Sequence, residues 1–360
     1  MNSILSEYNG KIRNGKRIIH TDYIIRKRGK LLHICLNSIG CRFRHSGSCI
    51  MCDYGQGRTL TEAELENVFP AIEEKLSGIE SILIGTLGSV LDPEEISLES
   101  LERICRFLRS VSIHTIIFET HYIFINEKVC KWLKEQLPGK DIVVEVGLET
   151  IDKFVQKECW NKVIDLVALN EKIKILHSFN FSITANLLLG APFLTVSEQI
   201  EDVENSVLWS IKNGVDSVAI FPVNIREHTF LNVLFREGQY VPIQQWAVFE
   251  VLCRIPTFYL NRVHLAWYGD WIEYDEEGRR NNIPPSSCRI CEPKWMEFYA
   301  KFMEEENSNE RKNLIKKYRK FLKKDCDCHA NFLESLVKSF EIDREKRISD
   351  IKSKLIKIEP

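Results

Sequence analysis

The chain has 360 residues, 44% of them hydrophobic, and a formal net charge of −2 at pH 7. That length carries a large core and about one and a half to two domains, and so balanced a charge points to no particular partner through bulk electrostatics. Twelve cysteines in so long a chain exclude a small disulfide scaffold and, with no apolar leader in the polar, basic opening segment, point to metal binding in a reducing compartment. No apolar run approaches the roughly 20 residues that span a bilayer, so no membrane partner and a cytoplasmic location are expected.

Residues 1–30 are a polar, basic lead-in with weak periodicity. Leu31 to Leu36 is an apolar run that reads as a strand. The loop after it, Gly40 to Gly57 (GCRFRHSGSCIMCDYGQG), holds Cys41, Cys49 and Cys52, while Cys35 stays inside the strand pattern. Gly40, Gly47 and Gly55 let this loop turn without a Cβ penalty, so it can wrap its thiolates round one inorganic centre. Clustered thiols can also be buried hydrophobes, although the polar neighbours Arg42, Arg44, His45 and Ser46 argue against that. A zinc knuckle is a further reading, because Cys49 and Cys52 have the two-residue gap that zinc sites use. Spacing alone leaves iron–sulfur and zinc open. With three ligands for a four-iron cluster, one iron is left for a small molecule.

Beyond the loop, Thr61 with Glu64 reads as a capping box opening a helix in TEAELENVFPAIEEKL. Ser81 to Ile84 is a strand ended by the glycine turn GTLGS. There follow a helix (Leu98 to Leu108), a strand (Ile113 to Phe118, ending in Glu119), a helix (Asn126 to Gln136) and a strand (Ile142 to Val146, running into GLET). Leu166 to Phe179 continues as helix, Ser182 to Leu189 as strand, Ser197 to Asn213 as helix and Ser217 to Phe221 as strand. Such alternation predicts a parallel sheet with right-handed crossovers, and the apolar runs ANLLL and DIVVEV predict strands buried on both faces. The expected fold is an α/β barrel, partial or complete, over residues 31–225. Ligands of such sheets sit at the carboxyl ends of the strands. The cysteine loop, Gly85 to Ser89, Glu119, Glu149 and Gly190 to Pro192 all fall there.

Residues 226–340 form an extension of different character, with Trp246, Trp267, Tyr268 and Trp271, then the pair Cys288 and Cys291. A helix rich in Lys and Arg, Arg311 to Lys324, leads to Cys326 and Cys328, with His329 adjacent. Two pairs on loops separated by a helix suit a closed, four-coordinate structural zinc site; an auxiliary iron–sulfur cluster and reduced, unligated thiols are the alternatives. Cys105, Cys130, Cys159 and Cys253 lie in helical or apolar patterns and read as core. The basic helix suits a phosphate backbone, against a solvated helix face, which the overall charge balance favours. Residues 341–360 read as a charged surface helix or frayed tail.

The motif SIGCRFRHSGSCIMCDY, with IGTLGSVLDPEEI, VEVGLETID, NLLLGAPFLTVSEQIED, VNIREHTFLNVLFREGQYVPI and the SCRIC and CDC pairs, closely resembles the archaeosine-forming radical S-adenosylmethionine (SAM) proteins, relatives of the elongator-type catalytic subunits. The likeness covers roughly residues 30–330. It implies a partial (β/α)6 radical SAM barrel with a C-terminal cysteine-pair, zinc-like extension. It further implies that Cys41, Cys49 and Cys52 ligate a [4Fe–4S] cluster whose open iron chelates the amino and carboxylate groups of SAM. By the same likeness Met51 packs near the adenine, Gly85, Gly88 and Ser89 form the turn that receives the methionyl amino group, and Glu119, Glu149 and Asn186 bind the methionyl moiety or the ribose. The last three serve equally well as strand-end hydrogen-bonding groups.

The implied chemistry is reduction of SAM to a 5′-deoxyadenosyl radical by a low-potential cluster, with an electron donor such as flavodoxin or ferredoxin, in a barrel closed to water. In the archaeal relatives the substrate is a lysine-conjugated 7-deazaguanine in tRNA, and a carbon–nitrogen bond of its substituent is cleaved. After Glu119 this sequence reads THYIF where the family has Arg-Pro-Glu, so His121 and Tyr122 bear on substrate identity. A modified nucleoside in tRNA, reached through the basic helix or a partner subunit, is one expectation, and a free metabolite or natural-product intermediate is the other. A non-catalytic, zinc-stabilised nucleic-acid-binding module is a reading of a different class.

Overall fold

A computed structural model describes residues 23–45, 49–54, 57–227, 229–266, 282–322, 326–337 and 344–355. Trp267, Tyr268 and Trp271, Gly47 and Gly55, and most of the lead-in lie outside the described residues.

The first described element is a hairpin, strand β1 (Tyr23–Arg28) antiparallel to β2 (Leu31–Leu36). Helix α1 (Glu62–Glu73) follows, and its capping box is formed on both sides, Thr61 accepting from Glu64 N and Glu64 from Thr61 N. Then come β3 (Ser81–Thr86), α2 (Leu98–Ser110), β4 (Thr115–Thr120), α3 (Glu127–Gln136) and β5 (Asp141–Glu149). A π-helical segment, Val155–Trp160, leads into α4 (Leu166–Ser178), β6 (Ser182–Leu189), α5 (Val196–Lys212), β7 (Ser217–Pro222) and the short β8 (Ile225–Arg226). The remaining elements are α6 (Phe230–Arg236), α7 (Trp246–Arg254), β9 (Val263–Leu265), β10 (Asn282–Ile283), α8 (Glu292–Glu304), α9 (Ser308–Leu322), α10 (Cys328–Val337) and α11 (Arg344–Leu355).

Strands β2 to β7 pair in parallel and in sequence order, with β1 on one edge and β9 on the other. Among the described residues neither edge pairs with the other, so the barrel is partial. Each crossover between β2 and β7 carries a helix, as the alternating pattern requires. Ile82 and Ile84 of β3, Phe118 of β4, Val144 of β5 and Ala185 and Leu187 of β6 are buried in one core cluster with Ile104, Leu133, Ile173 and Val203 of the helices. Residues alternate in a strand, so Cys35, Gly85, Glu119, Glu145, Gly147, Glu149 and Asn186 face the inside of the curl.

One expectation needs correction in part. The ANLLL run of β6 is buried on both faces, as its composition predicts, but β4 and β5 alternate between buried and half-buried positions, because their inner residues line a concave polar surface rather than a second layer of helices. Of the two readings of the C-terminal segment, the described part, 344–355, takes the helical one. In α11, Arg347 bonds to Glu198 (2.6 Å) and to the Phe193 carbonyl (3.1 Å), Arg344 lies over the Phe154 ring, and Ile348 is buried.

The aromatic residues of the extension, Trp246, Phe249, Trp295 and Phe298, belong to the same core cluster as the outer face of the sheet. Cys105, Cys130 and Cys159 are buried, as their patterns predict, and Cys253 is half-buried.

Candidate active site

The site gathers at the carboxyl ends of the parallel strands. Leaving β2, the backbone turns at Gly40, whose φ of +87° is the left-handed conformation that favours glycine. It then makes one helical turn, Arg42–His45. Arg42 forms an ion pair with Asp92 and sits 4.9 Å from the Phe124 ring centroid, while Phe43 stacks on His121 at 4.3 Å. At Gly88 a Cβ would lie 2.7 Å from the Cys41 Cα and 2.0 Å from Glu95 Oε1, so only glycine lets the β3 turn reach the cysteine loop.

Glu95 fastens this junction. Its buried carboxylate accepts from Ser38 Oγ (2.9 Å), Thr86 Oγ1 (3.0 Å) and Ser89 N (2.9 Å), and Ser38 Oγ in turn accepts from Gly40 N (3.1 Å). Burial pushes the Glu95 carboxyl up to about 7 against those three bonds. No sequence motif singles Glu95 out; the only signal is the adjacent glutamates of SVLDPEEI.

The far side of the loop is tied to the π-helical segment. Cys49 N donates to the Asn161 carbonyl (3.2 Å), Ile50 N to that of Trp160 (3.1 Å), and Leu231 N to that of Ile50 (3.2 Å). Ile50 is buried in a second apolar cluster with Trp160, Phe230, Leu231 and Ile348, and Met51 packs against it. Cys41, Cys49 and Cys52 thereby come to one edge of the half-barrel. Burial, then Cys49 and Asp53, pushes the Cys52 thiol up, with Cys41 a smaller contributor. A trio of thiolates there calls for a compensating cation, as the donor set of a metal site does. These residues fit a cluster held by three cysteines.

The inner face presents carboxylates to the loop. Glu149, at φ +64°, stands where the β5–β6 register shifts, and accepts from Lys162 Nζ at 2.6 Å. Asn186 Nδ2 donates to Glu145 Oε1 (2.7 Å). Gly85 leaves room for Glu119, since a Cβ there would lie 2.6 Å from Glu119 Oε2. The Tyr54 hydroxyl, pushed up by burial, has Arg226 5.5 Å from its ring centroid. Ser89 is engaged structurally, its N–H with Glu95 and its Oγ accepting from His121 N at 3.0 Å. Burial, then Lys162 and Arg42, lowers His121 to about 3, so its imidazole is neutral at pH 7. Tyr122 accepts from Asp165 N (3.2 Å). Lys162, Glu145 and Tyr54 escape sequence reasoning, because nothing in WNKVID, VVEVG or CDYG separates a lumen residue from a surface one.

The second cysteine set is tight. The Sγ atoms of Cys288, Cys291, Cys326 and Cys328 all lie within 4.8 Å of one another, and among the described residues this is the one such group of three or more metal-ligating side chains. Separations include 3.5 Å (Cys288–Cys326), 3.1 Å (Cys291–Cys326), 3.4 Å (Cys291–Cys328) and 2.8 Å (Cys326–Cys328). Four sulfurs at about 2.3 Å from a single ion fit a tetrahedral donor set of this kind. Cys291 N donates to Cys288 Sγ (3.3 Å) and Trp246 Nε1 to Cys328 Sγ (3.2 Å). His329 packs against the Trp246 ring at 4.4 Å. Cys41, Cys49 and Cys52 do not form such a group within 4.8 Å.

No protein-family model matches the sequence. It is 28% identical over 244 residues to an uncharacterised protein of Methanocaldococcus jannaschii, a match spanning 65% of this chain and 66% of that one, just under two thirds of the relative's length. It is 23% identical over 277 residues to archaeosine synthase subunit beta of Methanosarcina acetivorans, covering 75% of this chain and 78% of the relative. With the same subunit of Thermococcus kodakarensis the identity is 27% over 239 residues, covering 64% and 74%. Among solved structures it is similar to queuine lyase from Clostridium spiroforme bound to SAM and queuine, at 21% identity and a TM-score of 0.41 over 55% of this chain and 79% of that one. Another is Elp3 of Methanocaldococcus infernus, at 15% identity and a TM-score of 0.46 over 77% and 63%.

The chain is thus an α/β protein built on a parallel half-barrel, with a three-cysteine loop behind its first parallel strand. In sequence it is similar to the archaeosine synthase beta subunits.

Proposed function

We propose that this protein holds a [4Fe–4S] cluster on Cys41, Cys49 and Cys52, binds SAM beside it, and cleaves a C–N bond in an archaeosine-type nucleoside, a lysine-conjugated 7-deazaguanine in tRNA. The observation that carries the reading is the convergence of that trio with the polar ends of β3, β4, β5 and β6 at one edge of the sheet. When bound, the cluster and SAM supply a 5′-deoxyadenosyl radical. The protein's own residues bind, orient and exclude water. Glu119, Glu149 and Asn186 offer acceptors and a donor to the methionyl moiety or ribose, Gly85 leaves space for Glu119, and Gly88 lets Cys41 approach the β3 turn. Gly85, Gly88 and Ser89 form the turn offered to the methionyl amino group, with the Ser89 Oγ held by His121 N. Met51, packed at the edge of the second apolar cluster, offers a soft surface to an adenine. A single zinc on Cys288, Cys291, Cys326 and Cys328 would pin the extension.

Docking of tRNA through α9 has little support, because much of its positive charge is used internally. Arg311 bonds to the Leu260 and Val263 carbonyls, Lys312 to that of Cys253, and Arg319 to Glu250. That favours either a partner subunit that brings the tRNA, in keeping with the relatives' designation as subunit beta, or the second reading, a free small-molecule substrate.

The test is to offer the anaerobically reduced protein SAM with tRNA carrying the lysine-conjugated base, or with the free conjugate. Release of the lysine fragment from tRNA is the expected result. Turnover of the free conjugate alone would establish the second reading. A protein that held zinc and no iron would be the non-catalytic module.

A further inference from the structure

Between the cysteine loop and the end of β5 lies a cation that no motif announces. The Lys162 side chain is 14% exposed. Its Nζ donates to Glu149 Oε1 at 2.6 Å and to the Gly147 carbonyl at 2.9 Å, leaving one of the three ammonium N–H groups. Its electrostatic neighbours after Glu149 are the cysteines Cys49 and Cys41.

The backbone around this lysine is unusual on three sides. Cys49 (φ +57°), Glu149 (φ +64°) and Asn161 (φ +51°) are non-glycine residues in the left-handed region. Such residues persist only where the surroundings over-determine them, and they cluster at functional sites. Here each belongs to the lysine pocket. Asn161 precedes Lys162 and accepts from Cys49 N at 3.2 Å. The register shift between Gly147 and Glu149 swings Glu149 onto the ammonium, and Gly147 makes room for it, since a Cβ there would lie 2.9 Å from Nζ.

A buried ion pair is weak evidence for stability, because desolvation offsets most of its attraction. What the arrangement does provide is a fixed positive charge on the residue that follows Asn161, whose carbonyl holds Cys49 N, within electrostatic reach of Cys49 and Cys41. A cluster bound there by cysteine thiolates carries negative charge, and one-electron reduction adds another in a site with little water to screen it. A nearby opposite charge favours the more highly charged form, and net charge and hydrogen bonds to sulfur set cluster potentials.

We propose that Lys162 is a positioning residue for the reduced cluster: its ammonium, held by Glu149 and Gly147 within electrostatic reach of Cys49 and Cys41, raises the potential at which the cluster accepts one electron from a flavodoxin- or ferredoxin-class donor. This rests on the cluster reading of the loop.

The full-length protein and its variants are reconstituted anaerobically with iron and sulfide, and the reduced cluster is followed by electron paramagnetic resonance through a potentiometric titration with dithionite. Wild type and K162R are expected to hold equal iron and to reduce at similar potentials. K162M is expected to hold iron and to shift its midpoint negative. E149Q, which leaves the ammonium uncompensated, is expected to shift it positive, so the inference stays testable if K162M folds poorly. A full iron complement in K162M with the midpoint unchanged would overturn the inference and leave the cluster reading intact. Weakened SAM binding with no shift would overturn it equally, assigning Lys162 to the cofactor carboxylate instead. A wild-type protein that took up no iron at the loop would sink the cluster reading, and this inference with it.

Discussion

Glu95 couples the cysteine loop to pH. Burial, which disfavours the charged form, pushes the Glu95 carboxyl up from an ordinary value of 4.5 to about 7. The folded state therefore keeps a proton that the unfolded state releases. Its contribution to stability is fully present below about pH 4.5 and lost as pH rises through about 7. Asp202, raised from 3.8 to about 7 mainly by burial, acts in the same direction. Glu95→Gln should flatten the fall in thermal midpoint between about pH 5 and 7.5, leaving the part due to Asp202. An unchanged slope would show that Glu95 does not titrate there. Glu95→Ala, which strands the Ser89 N–H and two hydroxyls, should cost about 1–3 kcal/mol.

How far single residues can be read from sequence depends on the signal each one leaves. Cys41, Cys49 and Cys52 are legible as a thiol-bearing loop behind the first parallel strand, although their spacing alone does not separate iron–sulfur from zinc. Glu119, Glu149 and Asn186 are legible as strand-end polar residues. Lys162 and Glu95 are not, because their partners are brought to them by β5 and by the β3 turn, and no local period encodes that.

Among the elements, strands β2 and β6 start and stop where their apolar runs do, and α1 begins at its capping box. The apolar run Ile113 to Phe118 predicts the third parallel strand two residues early, since it forms at Thr115–Thr120, and the fourth runs on to Glu149. In both cases parallel pairing to neighbours, such as Glu119 with Glu145, carries the strand past the end of its apolar run. The sequence offers helix and frayed tail alike for α11, whose described inward side chains, Arg344, Arg347 and Ile348, are mostly charged. Arg347→Ala would leave the Phe193 carbonyl without its buried partner and should destabilise the protein by about 1–3 kcal/mol. Because Ile348 shares an apolar cluster with Ile50 of the cysteine loop, the same variant should hold less iron after reconstitution. Full iron retention with a lowered thermal midpoint would show that α11 supports the fold but not the loop.

At the scale of the whole molecule, the half-barrel and the helical extension share one apolar core, so the second cysteine site should report on global stability. Metal analysis should find about one zinc per molecule at that site. Cys291→Ser should remove it and lower the single thermal midpoint, not split the transition in two. A metal-free wild-type protein of equal stability would mean that the four thiols pack without an ion. The alternation of strands and helices makes this architecture legible throughout residues 31–225. The openness of the barrel is not, since it depends on which edges find partners.

The account stands most directly on one assay: anaerobic reconstitution of wild type and Cys49→Ala, reduction with dithionite in the presence of SAM, and quantification of iron and 5′-deoxyadenosine. Wild type should bind about four irons at the loop and form 5′-deoxyadenosine, while Cys49→Ala stays folded and does neither. Iron uptake and deoxyadenosine formation undiminished in Cys49→Ala, or a wild-type protein that binds only zinc and forms none, would contradict it.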